Sequence, residues 1–168
     1  MYKRQAAYGV DLVLGPAVNL ERNPLCGRNV EYLSEDPLLA GRLGGAYIRG
    51  VQSQQVGACI KHFAANNQET EREYLNVICE EDALRDLYLK AFEIAIREGK
   101  PAAVMTSLSK INGTYCAENR WLFDILRKEW GFDGLVMTDW FGLDDRVKSA
   151  EAGLDLEMPG TDGKSTAY

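Results

Sequence analysis

His62, the one histidine of this 168-residue chain, follows Lys61 at the end of the apolar run Gly57-Ala58-Cys59-Ile60. A second apolar run, Gly134-Leu135-Val136-Met137, passes through Thr138 straight into Asp139 and Trp140. Runs this short and this apolar read as strands buried on both faces. A charged group at the last position of such a strand projects from the sheet's carboxyl edge, where α/β sheets and barrels bind their ligands. Thr106-Ser107 ends a third run, Ala102 to Met105, and Arg28 sits in the polar stretch after a first, Asp11 to Gly15. If the strands are parallel, all of these groups gather at one face.

Each group has a plain structural reading beside a chemical one. Asp139 either caps the helix that follows, a position Asp favours, or stands as an ionised carboxylate, which a nucleophile must be. His62 is either a hydrogen-bonded structural residue or part of a site. Lys61 directly follows buried-type residues, and a buried lysine needs an anionic partner; Asp139 is the expected one. Arg28, in Cys26-Gly27-Arg28-Asn29, either ties down its own loop or reaches the same face. Met105 and Trp140 read as core residues, with a second role open to Trp140 as a flat platform for a sugar ring. A carboxylate ringed by Lys, Arg, His and Trp suits a polyhydroxylated substrate, and the cations would keep it ionised by Coulomb attraction. Phosphate chemistry is disfavoured: there is no Walker or dinucleotide loop, and Gly41, Gly44 and Gly45 fall inside a predicted helix. A G-x-S-x-G elbow is also absent.

The elements that must position these residues alternate along the chain. After the first strand, the long polar stretch 16–35 reads as a functional loop. Asp36-Pro37 reads as an N-cap with proline at the first helical position, and Leu39, Leu43, Tyr47 and Val51 follow at helical spacing. Val56 to Phe63 is the second strand, and 66–69 a polar loop. A helix is predicted over 81–98, with Leu84, Leu87, Tyr88, Ala91, Ile94 and Ala95 as its apolar stripe. Another spans about 118–130, with Trp121, Leu122, Ile125 and Leu126 inward. A short helix over 144–152 and a last strand over 153–159 complete the series. Strand–helix alternation implies an α/β fold with a parallel sheet and crossover helices. About five strands are visible, whereas a closed eight-stranded barrel needs roughly 250 residues. The sheet is therefore either open or a piece of a barrel.

Composition narrows the classes. The net charge is −6 and the pI about 4.9, which disfavours nucleic acid and anionic membrane as partners. No apolar run approaches the roughly 20 residues of a membrane span. The four cysteines are scattered without a CxxC pair. With a single histidine, no metal site and no cofactor are expected. Reduced thiols and a cytoplasmic location are the default expectation. Residues 1–8 are read as a non-native or frayed lead, 9–160 as one domain, and 161–168 as a tail.

Four stretches together resemble glycoside hydrolase family 3, the β-glucosidase family. The run from Ile125 through Trp130-Gly131-Phe132-Asp133-Gly134 to Thr138-Asp139-Trp140 is similar to its signature. Pro24 to Pro37, containing Gly27-Arg28-Asn29, resembles its sugar-binding loop. Lys61-His62-Phe63-Ala64-Ala65-Asn66-Asn67-Gln68-Glu69 resembles its Lys-His segment, and Lys110 to Cys116 the segment before the signature helix. The resemblance implies a partial (β/α)8 TIM-like barrel lacking the first strands, with 9–160 as part of the family's N-terminal catalytic domain. It implies Asp139 as the catalytic nucleophile of a retaining mechanism. It also implies that Arg28, Lys61 and His62 bind sugar hydroxyls, that Met105 and Trp140 line the same subsite, and that the substrate is a β-glucoside or oligosaccharide. Leu108 and Ser109 depart from the pattern, which has a tyrosine and an asparagine there; the tyrosine helps place the nucleophile. Phe63-Ala64-Ala65-Asn66 after Lys-His favours the glucosidase branch over the N-acetylglucosaminidase branch. The acid/base glutamate is expected in a second α/β domain beyond this chain, so negligible turnover is expected of the chain alone. A non-catalytic sugar-binding piece and a β-xyloside-cleaving relative are the alternatives.

Overall fold

The computed structural model describes residues 2–160; the expected tail lies outside them. In chain order the elements are α1 (Tyr2–Ala7), β1 (Leu12–Val13), α2 (Pro37–Gln52), β2 (Gly57–Phe63), β3 (Asn76–Val77) and α3 (Glu81–Ala83). A π-helical turn, Leu84–Tyr88, joins α3 to α4 (Lys90–Gly99). Then come β4 (Ala103–Thr106), β5 (Lys110–Ile111), β6 (Thr114–Tyr115), α5 (Arg120–Asp124) with a second π-turn over Ile125–Glu129, β7 (Leu135–Met137) and α6 (Arg146–Ala152).

The main sheet has the order β1-β2-β4-β7, every pair parallel. Its spatial order follows chain order without reversal. That is the winding of a (β/α) barrel rather than of a doubly wound sheet, which reverses at a switch point. The alternating side chains divide two cores. Ala58, Ile60, Val104 and Val136 face the helices and join the larger core. Cys59, Ala103, Met105 and Met137 form a smaller cluster with Leu12 and Met158 packed against it, the position of a barrel interior.

Helix α2 starts where the sequence says it should. The Asp36 carboxylate accepts from the Leu38 and Leu39 amides, and Pro37 occupies the first turn. Its inward face is only partly the expected stripe, however. Val51 is buried as expected, but Leu39 and Leu43 are exposed, and Ala40, Gly41, Gly44, Gly45 and Ile48 are buried in their place. The cause is close approach of α4. A Cβ on Gly41 would lie 2.7 Å from the Ile94 Cβ and 3.0 Å from the Ala91 carbonyl. Small residues make the groove, and the large ones are pushed outward.

The predicted helix over 81–98 is also present but not regular. Its π-turn adds a residue to one turn and rotates the following face. Leu89, Phe92 and Ile96 are therefore buried with Leu84, Ala91 and Ala95, while Leu87 turns outward. The expected strand over 153–159 reduces to one parallel bridge, Met137↔Leu156. Backbone and side chains together hold that segment: the Thr138 amide donates to the Leu156 carbonyl and the Asp155 amide to the Val136 carbonyl, both at 3.0 Å, while Thr138 Oγ1 accepts from the Met158 amide and the Asp155 carboxylate from the Val136 amide, both at 2.7 Å.

Candidate active site

The carboxyl ends of β2 and β7 bring the predicted residues together. Asp139 stands two residues beyond β7, and its Oδ2 lies 3.7 Å from His62 Nε2. The other oxygen, Oδ1, accepts from the Trp140 amide at 2.7 Å. The carboxylate is thus turned by its own backbone, leaving Oδ2 for the mouth of the sheet. What launches β7 at this height is Arg127. Its guanidinium donates to the Phe132 and Gly134 carbonyls at 3.1 and 2.7 Å and to Asp155 at 2.7 Å. Gly134 is required here by close packing, since a Cβ would sit 2.5 Å from the Ala102 carbonyl.

Lys61 and His62 occupy an irregular step of β2. Pairing with β4 is regular at Cys59 and Ile60, then shifts before Phe63. Such bulges re-aim side chains beside active sites. Asn19 clamps the step: its Nδ2 donates to the His62 carbonyl at 2.9 Å, and its Oδ1 accepts from the His62 amide at 2.8 Å. His62 is buried, and its Nδ1 has no hydrogen-bond partner among the described residues. Burial, with the charges of Arg28, Lys61 and Arg72, drives its pKa well below the ordinary value. The imidazole is therefore neutral, and its 3.7 Å approach to Asp139 is a polar contact rather than an ion pair.

The expected Lys61–Asp139 pair is replaced by a different one. Lys61 Nζ lies 3.2 Å from Glu31 Oε2, and Arg28 Nε donates to Glu31 Oε1. Glu31 is on the loop between β1 and α2, the same loop as Arg28, so sequence spacing hid it behind the more conspicuous carboxylate. Glu69 continues the alternation, 4.0 Å from Arg28 and 3.2 Å from Arg72. Burial opposes the Arg28 charge, yet the Glu31 bond and its charge outweigh it, and the net shift is upward. The loop itself is pinned by Tyr32. Its hydroxyl donates to the Asn66 carbonyl at 2.7 Å and accepts from Asn66 Nδ2 at 3.1 Å.

The remaining predicted residues divide. Trp140 is 39% exposed beside Asp139, with a surface available for stacking. Met105 lies below, buried with Cys59 and Met137. Cys59 is buried too, and that burial pushes its thiol up to about 12, with Lys61 lowering and Asp139 raising it. Thr106 and Ser107 are fully buried; Ser107 donates to the Ala64 carbonyl and supports the β2–β4 seam. A cavity of about 580 Å³ follows Trp140 along the chain, lined by Phe141, Leu143, Arg146 and Glu157 among others and by none of the predicted site residues.

The family model for the glycosyl hydrolase family 3 N-terminal domain matches residues 1–165. The chain belongs to that family. It is 51% identical over 158 residues to thermostable beta-glucosidase B of Acetivibrio thermocellus, covering 94% of this chain and 21% of the relative. It is 52% identical over 151 residues to an exo-alpha-(1->6)-L-arabinopyranosidase of Bifidobacterium longum, covering 89% of this chain and 20% of that one. Beta-glucosidase 3B from Thermotoga neapolitana, solved in complex with glucose, superposes with a TM-score of 0.94 at 54% identity. That match covers 96% of this chain and 23% of the solved one. The family 3 chain therefore spans about a fifth of the length of the relatives it matches.

Proposed function

We propose that this chain is the nucleophile-bearing section of a retaining glycoside hydrolase that releases terminal β-D-glucosyl residues. The observation that carries the reading is the convergence of Asp139 with His62 at 3.7 Å, at the carboxyl ends of two parallel strands. The cationic Lys61 and Arg28 stand beside His62. Family membership and relatives named as beta-glucosidases support it.

In this reading Oδ2 of Asp139 attacks the anomeric carbon. The bond from that carbon to the aglycone oxygen breaks, and the oxygen takes a proton from a carboxylic acid supplied by the rest of the protein. Water, deprotonated by the same acid/base, then attacks the glycosyl ester and releases the sugar with its configuration retained. The neutral state of His62 serves this chemistry. A protonated imidazole would pair with Asp139 and blunt its attack, whereas a neutral one donates a single hydrogen bond. Lys61, Arg28 and His62 hold ring hydroxyls, Trp140 offers a face to the ring, and Met105 supports the floor.

The second substrate class rests on the arabinopyranosidase relative, which is as similar to this chain as the glucosidases are. A chimera decides both points. Residues 9–160 replace the matching segment of the Thermotoga enzyme, and aryl β-glucoside, β-xyloside and α-L-arabinopyranoside are compared. Hydrolysis with glucoside favoured, lost by at least about a thousandfold in Asp139→Ala, supports the reading. Hydrolysis that survives the substitution refutes it.

A further inference from the structure

Arg28 and Lys61 come from separate segments, carry the same charge and converge on one mouth. Left to themselves, two cations in a half-buried site repel. Both contact a single carboxylate, Glu31, one through each oxygen: Oε1 accepts from Arg28 Nε, and Oε2 lies 3.2 Å from Lys61 Nζ. The side chains of Arg28 and Lys61 are 19% and 15% exposed, so water does little to screen them apart. Glu31 uses only the Nε edge of Arg28 and one proton of the Lys61 ammonium. The terminal guanidinium nitrogens and the remaining ammonium protons keep donor capacity that an incoming ligand can use.

We propose that Glu31 is a positioning residue of the sugar site: it bridges Arg28 and Lys61 and sets the spacing at which they present donors to adjacent hydroxyls. The proposal rests on the sugar-site reading above. Glu31 touches neither the reacting atoms nor the sugar. It acts through the two cations, as Asn19 acts on His62 through the backbone. A role confined to tying down the loop would be redundant, because Tyr32 and Asn66 already pin it.

The test uses the Thermotoga chimera described above, with D-glucose as probe, and follows its Arg28 and Lys61 side chains by 1H–15N NMR. In sugar-free protein, Glu31→Gln keeps an oxygen for Arg28 but turns a donor or nothing toward Lys61. The Lys61 ammonium signal then exchanges away while the Arg28 Nε–H signal persists. Glu31→Ala loses both. The amides of Tyr32 and Asn66 stay unshifted in Glu31→Gln, which shows the loop intact. Glucose binds roughly tenfold more weakly to Glu31→Gln, the change a lost charge-assisted bond carries. The proposal is overturned if both cation signals persist in folded Glu31→Ala, or if Glu31→Gln binds glucose within about twofold of wild type. An unsubstituted chimera that takes up no glucose counts against the sugar-site reading. The sugar-free Arg28 and Lys61 signals would still decide whether Glu31 holds them.

Discussion

His62 is where electrostatics and stability meet. Burial and three neighbouring cations hold its imidazole well below the ordinary 6.5 in the folded protein. The unfolded chain, by contrast, takes up a proton below about 6.5. Between the folded value and 6.5 the unfolded state therefore binds more protons, so stability rises with pH across that window and is level above it. One proton corresponds to about 1.4 kcal/mol per pH unit. Urea unfolding between about pH 5.5 and 8 checks this: the midpoint falls below 6.5, and His62→Gln removes that part of the slope. A slope unchanged by the substitution contradicts the assignment. At this scale the sequence was informative about which residues converge and silent about how they pair. Lys61 needed an anion, and a reading that sees only strand ends offers Asp139; the true partner, Glu31, lies on a loop whose path depends on Tyr32 reaching Asn66.

The elements repeat the lesson. Alternating apolar runs and caps revealed β2, β4, β7 and the start of α2, because those signals are local. The inward face of α2 was not legible. Periodicity ranks Leu39 and Leu43 as core, but the helix pair closes on glycines, a property of two segments and not of one. The π-turn in the helix before β4 likewise has no local signature, and it moves Phe92 and Ile96 inward. One missed element did carry a signal. Lys110-Ile111-Asn112-Gly113-Thr114-Tyr115 forms a hairpin with Asn112 and Gly113 at positive φ, the expected behaviour of an Asn-Gly turn. Two predictions belong here. Gly41→Ala forces its Cβ into Ile94 and the Ala91 carbonyl and costs about 1–3 kcal/mol, read as a lower urea midpoint at unchanged slope. Arg127→Ala frees the turn before β7 and costs about 2 kcal/mol, and Arg127→Lys does not restore it, because a lysine cannot span both carbonyls and Asp155. Equal midpoints for wild type and either variant would contradict these packing assignments.

In the proposed mechanism the whole chain supplies one half of the chemistry. Family 3 relatives are about five times its length, and the carboxylates beside Lys61 and Arg28 in this part, Glu31 and Glu69, are engaged by cations. Neither is placed to protonate a leaving group. The isolated 168-residue chain is accordingly expected to hydrolyse an aryl β-glucoside at a negligible rate; turnover matching full-length relatives would show that a second carboxyl has been overlooked. The central claim is that Asp139 forms the covalent bond. The direct measurement is peptide mapping by mass spectrometry after the Thermotoga chimera is treated with a 2-deoxy-2-fluoroglucoside carrying a good leaving group. The account predicts a fluoroglucosyl ester on the peptide containing Asp139, absent in Asp139→Asn. A label on any other residue, or one that persists in Asp139→Asn, would contradict it.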